Sequence, residues 1–374
     1  MLNQIKVQKG SILVYRTFDI GEEINLASVE SILSDKNISK GRSVLNRNPK
    51  KSIVVKESPL ELHLGETLLS IDSNPYKAKL SAKIWNYGSV SFQFLLEIPK
   101  NTAWGDLVRL ASLIDNCVDI DTIAREKAEQ ISKEILVAIQ TPNIWNIVED
   151  YVIYFLEEIE GIEKNKALDL LTKVNLSQLI LAEPNISISD SIKKGLDDSV
   201  MQYSKSDLAI IDWNSAVIYG NSGDNDIADV IEFCLTHLLE MRYYDDLLDK
   251  RLLALFDSIQ QKEGILSNAY SNLANESSQK YIEFSEFLER VDNSLKTVGD
   301  FYLANVFRSA SNRFRFDDWR KSIDRKMSNL AKVSELLSSE TNLKRSHYLE
   351  VIVIVLILLE VLPNFWGVIK YLHK

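Results

Sequence analysis

Lys79–Ile98 reads KLSAKIWNYGSVSFQFLLEI, with apolar and polar residues alternating on both sides of Asn86-Tyr87-Gly88. A period of two marks a pleated strand with two distinct faces, and a glycine closing the turn supplies a positive φ. The stretch is expected to be an antiparallel hairpin. A helix is expected from about Thr102 to Val118, where Leu107, Leu110, Ala111 and Ile114 share one face. Strands followed by a helix make the fold class α+β.

Upstream, Ser11 to Thr17 (SILVYRT) reads as a strand, and Asn25 to Ser34 as a helix capped by Asn25. Ser34 to Lys51 is polar and basic and is expected to be a loop. Ser52 to Lys56 and Leu60 to Leu64 are short strand candidates on either side of Pro59. Downstream, Ile131 to Ile139 and Tyr151 to Ile159 read as strands, Lys166 to Val174 as a helix, and Asp207 to Tyr219 as a second hairpin. Trp85-Asn86 and Trp213-Asn214 sit at similar points in the two hairpins, and each hairpin precedes a helix with one of the two cysteines, Cys117 and Cys234. Residues 1–120 and 125–240 therefore read as two diverged repeats on antiparallel sheet. The expected domains are 1–120 and 121–225 as α+β halves, 226–347 as a helical region and stalk, and 348–369 as a membrane anchor.

The chain has 374 residues, enough for about two domains. A net charge of -10 argues against a protein whose main task is wrapping nucleic acid, which needs a basic face, and leaves room for a local basic patch. Two cysteines are too few for a disulfide framework and are expected to be buried thiols. The segment MLNQIKVQKGSILVYRTFD lacks the long apolar run of a signal peptide and the arginines of an organelle presequence.

From Asp226 onward strand signals stop. A helix from about Asp226 to Gln261 carries Ile227, Val230, Ile231, Cys234, Leu235, Leu238 and Leu239. A second, about Ser277 to Val298, carries Tyr281, Phe284, Leu288, Val291 and Leu295, with breaks near Gly264 and Gly299. A third is expected to start at Asp317 or Asp318, since carboxylates favour a helix N-terminus. Its residues Trp319, Ile323, Met327, Leu330, Val333 and Leu337 repeat at three- and four-residue steps, a coiled-coil-like seam read as an oligomerisation surface.

That helix points into Tyr348 to Ile369, YLEVIVIVLILLEVLPNFWGVI. Tyr348, Leu349 and Glu350 open the segment. Val351 to Leu359 are nine consecutive aliphatic residues, Glu360 follows, and Trp366 precedes Lys370. About 20 apolar residues span a bilayer, and aromatic and basic residues favour its boundaries. The segment is read as one transmembrane helix of a tail-anchored, single-pass protein, with lipid as a partner. The body then stays cytoplasmic, at the inner membrane in a bacterium. A buried core helix and an interfacial helix are the alternatives, because Glu360 is costly near a bilayer centre.

No Walker loop, dinucleotide glycine turn, nucleophile elbow, HExxH or CxxC is present. The sequence points to no catalytic residue, no metal ligand set, no cofactor and no small-molecule substrate, so the chain is read as a non-enzyme. His237 is expected to be a satisfied structural histidine, and Asp245, Asp246 and Asp249 a solvated helix face. A basic patch of Arg308, Arg313, Arg315, Arg320, Lys321 and Arg325 is interleaved with Phe307, Phe314, Phe316 and Trp319. Charge plus aromatic rings suits RNA or a ribosome, and charge alone suits pairing with an acidic protein surface or contact with anionic lipid.

Four stretches resemble the family of "required for meiotic nuclear division" proteins. SILVYRTFDIGEEINLASVESIL resembles its opening strand and helix, and AKIWNYGSVSFQF its aromatic-Tyr-Gly hairpin. FYLANVFRSASNRFRFDDWRKSIDRKMSNL resembles its basic helical segment, and YLEVIVIVLILLEVL its closing motif with a glutamate at each end. Val351 stands where that family often carries Trp. The resemblance implies a membrane-anchored homo-oligomer and brings no catalytic residues. The expected function is a membrane-anchored, self-associating scaffold. The alternatives are a nucleic-acid- or ribosome-associated membrane factor using residues 307–326, and an enzyme with a site in the α+β body.

Overall fold

Fourteen residues from Lys6 to Asp19 form one strand, β1, in which every position from Ile12 onward is buried. A strand buried on both faces belongs at a sheet centre. The computed structural model, which describes residues 5–34, 40–42, 58–197, 199–220, 226–260, most positions between 279 and 289, and 301–372, puts it there. The other strands are β2 (Glu23–Ile24), β3 (Lys40–Arg42), β4 (Leu60–Ile71), β5 (Asn74–Ile84), β6 (Ser89–Glu97), β7 (Thr102–Ala103), β8 (Ile139–Gln140), β9 (Val148–Ile159), β10 (Leu208–Ile211) and β11 (Ser215–Tyr219). The main sheet runs β10-β11-β9-β1-β6-β5-β4-β3, with β7 on β1, while β2 and β8 pair separately. Thus β1 pairs antiparallel with β6, from Ser11↔Glu97 to Asp19↔Ser89, and with β9 on its other edge.

Residues of β1, β5 and β6 such as Val14, Phe92, Phe94, Leu80 and Ala82 fill the main apolar core. The helices α1 (Leu26–Ser34), α2 (Trp104–Asp115) and α3 (Val118–Glu134) add Val29, Leu107 and Ala124 to it. Three short helices, α4 (Leu170–Lys173), α5 (Leu176–Ile180) and α6 (Asp190–Asp197), complete this side. The opposite face meets α7 (Asp226–Gln260) and a helix at Phe301–Arg313. There Phe233 packs on Trp85 (centroids 5.6 Å), and Phe314 on Tyr151 (5.6 Å). A last helix runs from Phe316 to Leu372.

The chain divides into two units, Met1–Tyr243 with Phe287–Asp318, and Tyr244–Glu286 with Trp319–Lys374. In the second unit Ile323 and Leu330 of the last helix are buried, as are Leu248 and Phe284. Lys326 reaches Asp245 (2.8 Å) and Asp249 (2.6 Å), and Tyr281 donates to Asp324 (3.2 Å).

Both expected hairpins form, and Asn25 caps α1 by accepting from the Ser28 N–H at 3.0 Å. Several expectations are corrected. Ile131–Ile139 is not a strand: α3 runs to Glu134, a 3-10 turn follows at Leu136–Ala138, and only Ile139 and Gln140 are extended. Ile120, Ala124, Ala128 and Ile131 are buried at steps of four, four and three, so the helical period outweighs the strand preference of the isoleucines. Lys40–Arg42, read as loop, pairs with β4; the remainder of the loop, the Ser52–Lys56 strand and the glycine breaks lie outside the described residues. The helix Phe301–Arg313 falls where no element was assigned. The two-repeat reading fails on strand order. The first half supplies an all-antiparallel run, whereas in the second β11 pairs parallel with β9. Trp85 is buried, whereas Trp213 is 43% exposed.

The first hairpin turns where two backbones nearly touch. Gly88 has φ +99°, and a Cβ there would lie 1.7 Å from the Gly21 carbonyl oxygen. The Gly88 carbonyl also accepts from the Ile20 N–H at 3.0 Å. Gly88→Ala is expected to cost about 4 kcal/mol or more, because strain and backbone overlap add; denaturant unfolding in detergent measures it.

Candidate functional site

The second face of the hairpin carries the polar half of the alternation. Register places Lys83 opposite Ser91, Ser91 opposite Thr17, and Thr17 opposite Glu149, one row across four strands. By alternation alone such a face looks solvent-exposed. Instead α7 covers it, and residues 230–241 of that helix are all buried.

The helix meets the row with polar groups of its own. Asp229, Glu232, Thr236 and Glu240 follow one another at steps of three, four and four, one stripe of a helix. Lys83 Nζ donates to Asp229 Oδ1 and Glu232 Oε2, each at 2.7 Å. Ser91 Oγ donates to the other Glu232 oxygen and accepts from Trp85 Nε1 at 3.5 Å. Tyr87 and Thr236 share a hydroxyl hydrogen bond of 2.7 Å, and Ser89 donates to Glu240 at 2.9 Å. At the far end Arg242 pairs with Glu149. Thr17 Oγ1 is buried with no partner among the described residues.

These groups are held out of water, which sets their protonation. Glu232 is 1% exposed and Lys83 8%. Burial opposes the Lys83 charge, but Glu232 and Asp229 outweigh it and hold the ammonium well above its ordinary range. Burial lifts Glu232 above the usual carboxylate range against the pull of Lys83. It lifts Glu149 to about 7 despite Arg242.

Asp19, at the end of β1, is also raised to about 7 by burial, although its carboxylate accepts from the Gly21 N–H at 3.1 Å. A carboxyl that holds its proton more tightly when folded loses stability as pH rises between its unfolded and folded values. Asp19→Asn keeps the acceptor and removes the charge. It is expected to match the parent near pH 4 and to exceed it by on the order of 2–4 kcal/mol at pH 8; unfolding at the two pH values is the check.

The other residues singled out by sequence fall as follows. His237 is a core histidine, its Nδ1 2.6 Å from the Phe233 carbonyl oxygen. Cys117 and Cys234 are free and buried. Among the described residues no cluster suits a metal ion. Of the seam, Ile323, Met327 and Leu330 are already buried within the single chain, while Trp319 and Val333 are half-buried. Those three positions are therefore occupied from inside the chain. The Leu337 side chain lies outside the described residues.

The basic patch loses three of its four rings. Phe307, Phe314 and Phe316 are buried in the first unit, so they cannot stack on bases. Arg308 donates to Asn305 (2.8 Å), Arg313 faces Asp212 (3.6 Å), and Arg315 pairs with Asp318 (2.8 Å). Arg320, Lys321 and Arg325 are exposed on the last helix.

The C-terminal helix behaves differently. Leu349 and every residue from Val351 to Leu358 are between 47% and 62% exposed. The side chains of Tyr348, Leu359, Glu360 and Trp366 lie outside the described residues. Among the described residues no helix is long and apolar enough to cross a membrane. A small cavity of about 120 Å³ opens near the ends of β9 and β11, where Lys9 and Glu157 pair across it at 2.5 Å.

A family described as "Uncharacterized protein MJ0711, N-terminal domain" matches residues 9–225, more than half of the chain. The chain belongs to that family. "Uncharacterized protein MJ0711" of Methanocaldococcus jannaschii is 26% identical over 250 residues, 63% of this chain and 72% of that protein. No solved structure matches. The region shared with the MJ0711 family ends just before α7, so the sheet side of the buried polar row, from Glu149 to Lys83, lies inside it and the helix side lies beyond it.

Proposed function

We propose that the chain is a membrane-attached assembly protein whose α+β body is held at a bilayer by the C-terminal helix. The observation that carries this is the exposure of eight successive aliphatic side chains, Val351 to Leu358. At 100° per residue eight positions cover every direction around the helix. A coiled-coil partner needs only a stripe, whereas a helix apolar all round belongs in a core or in lipid. Exposed apolar area of that kind is rarely left in water. The resemblance of the segment to the closing motif of the "required for meiotic nuclear division" family supports the same reading.

The run Val351–Leu359 alone is about 14 Å long, against roughly 30 Å of hydrocarbon. A full crossing therefore recruits residues beyond Glu360, with Trp366 and Lys370 at the far boundary. Self-association belongs to the tail in this reading, since Ile323, Met327 and Leu330 are occupied within the chain.

The test is vesicle flotation of the full chain followed by alkaline extraction. The reading expects the protein to float and to resist extraction. Recovery in the soluble fraction at neutral pH sinks it. Sizing in detergent tests the self-association part separately, and a strict monomer removes that part.

A further inference from the structure

We propose that the Lys83–Asp229–Glu232 cluster is a proton-operated latch that holds the first half of α7 on the polar face of the sheet. Two carboxylates share one ammonium there, each at 2.7 Å, in a site where Glu232 is almost wholly removed from water. Fully ionised, the cluster carries one excess negative charge. Burying an unbalanced charge is costly, and such sites relieve the cost by taking up a proton.

The neighbours do not remove the imbalance. From β5 the cluster faces Lys83 itself. From β6 it faces the Ser91 hydroxyl, which is neutral, and from β1 the Tyr15 phenol, which burial holds well above its ordinary value and therefore neutral. On α7 the next polar groups are Thr236 and His237, four and five residues after Glu232, and Glu240 with Ser89. Arg242 is engaged by Glu149. Burial and the second carboxylate both favour the protonated form of Glu232, in agreement with its raised affinity for a proton.

The sign follows. The docked state binds one proton more than the undocked state, so docking weakens as pH rises. Opening uncovers Ser91, Thr17 and Lys83, a polar row already shaped by the sheet register and including one hydroxyl that lacks a partner among the described residues. The latch therefore regulates access to that face rather than the fold of the sheet.

Hydrogen exchange of the full chain in detergent tests it, read on peptides spanning residues 229–240 and corrected for the intrinsic pH dependence of exchange. Protection should fall at least about tenfold from pH 4, below the undocked carboxylate range, to pH 9, while peptides from β1 and β6 change little. Glu232→Gln, which keeps the shape and removes the titrating proton, should flatten the profile. Asp229→Asn, which leaves one carboxylate for one ammonium, should flatten it as well. An unchanged corrected protection in the parent overturns the latch. So does an equal fall in both variants.

Discussion

Lys83→Met should destabilise the α+β body by about 3–5 kcal/mol at pH 8, the range for removing one partner of a buried ion pair. The substitution keeps most of the apolar stem and deletes the ammonium, leaving Asp229 and Glu232 facing each other without their cation. The loss should shrink at pH 5, because burial raises the affinity of Glu232 for a proton and a cluster that takes one up carries less charge. Adding Glu232→Leu to Lys83→Met should recover much of the loss, because an apolar replacement of both partners avoids an orphaned charge. Thermal unfolding of the single and double variants at both pH values decides the matter. A single variant within about 1 kcal/mol of the parent at pH 8 would mean that Lys83 is better hydrated than its burial indicates.

That cluster also marks where sequence reading stops. The hairpin Lys79–Ile98 was legible because Leu80, Ala82, Ile84, Val90, Phe92 and Phe94 alternate with polar residues, and those apolar positions are the core. The same alternation assigns Lys83, Ser89 and Ser91 to water, since a single strand cannot report that a helix 150 residues later lies over it. The signal was present on α7, where Asp229, Glu232, Thr236 and Glu240 form a polar stripe. It becomes readable only if a helix that is apolar on its other sides is taken to be buried all round. Sheet order was hidden for a similar reason: β1 pairs with β9 across about 140 residues of chain, and nothing local encodes that choice.

At Ile131–Ile139 the isoleucines suggested a strand, but the period of Ile120, Ala124, Ala128 and Ile131 belongs to a helix. The seam from Trp319 to Leu337 was read from its period, but periodicity does not name the partner. Ile323, Met327 and Leu330 find theirs within the chain. The candidate site was the least legible part, because it is made of ordinary serines and carboxylates brought together by register rather than by a motif.

The tail offers the sharpest test of the functional reading. Ile354→Asp with Ile357→Asp should release the chain from vesicles and render it extractable, while the unfolding of the α+β body stays unchanged. Each aspartate costs about 2.5–3.5 kcal/mol at a bilayer centre, and each isoleucine it replaces contributed about 0.3–0.6 kcal/mol. The pair therefore removes roughly 6–8 kcal/mol, a shift of about four to six decades in partitioning. Both positions are 52–53% exposed, so neither side chain holds the body together. Glu360→Leu is the counterpart. It lengthens the aliphatic run of Val351–Leu359 through Val361 and Leu362 and should tighten attachment if the acid only costs insertion energy. If sizing in detergent instead shows that Glu360→Leu breaks an oligomer, the glutamate belongs to an interface between copies. A double aspartate variant that still floats and resists extraction would remove the helix from its role as anchor and leave the aliphatic run to be covered by protein.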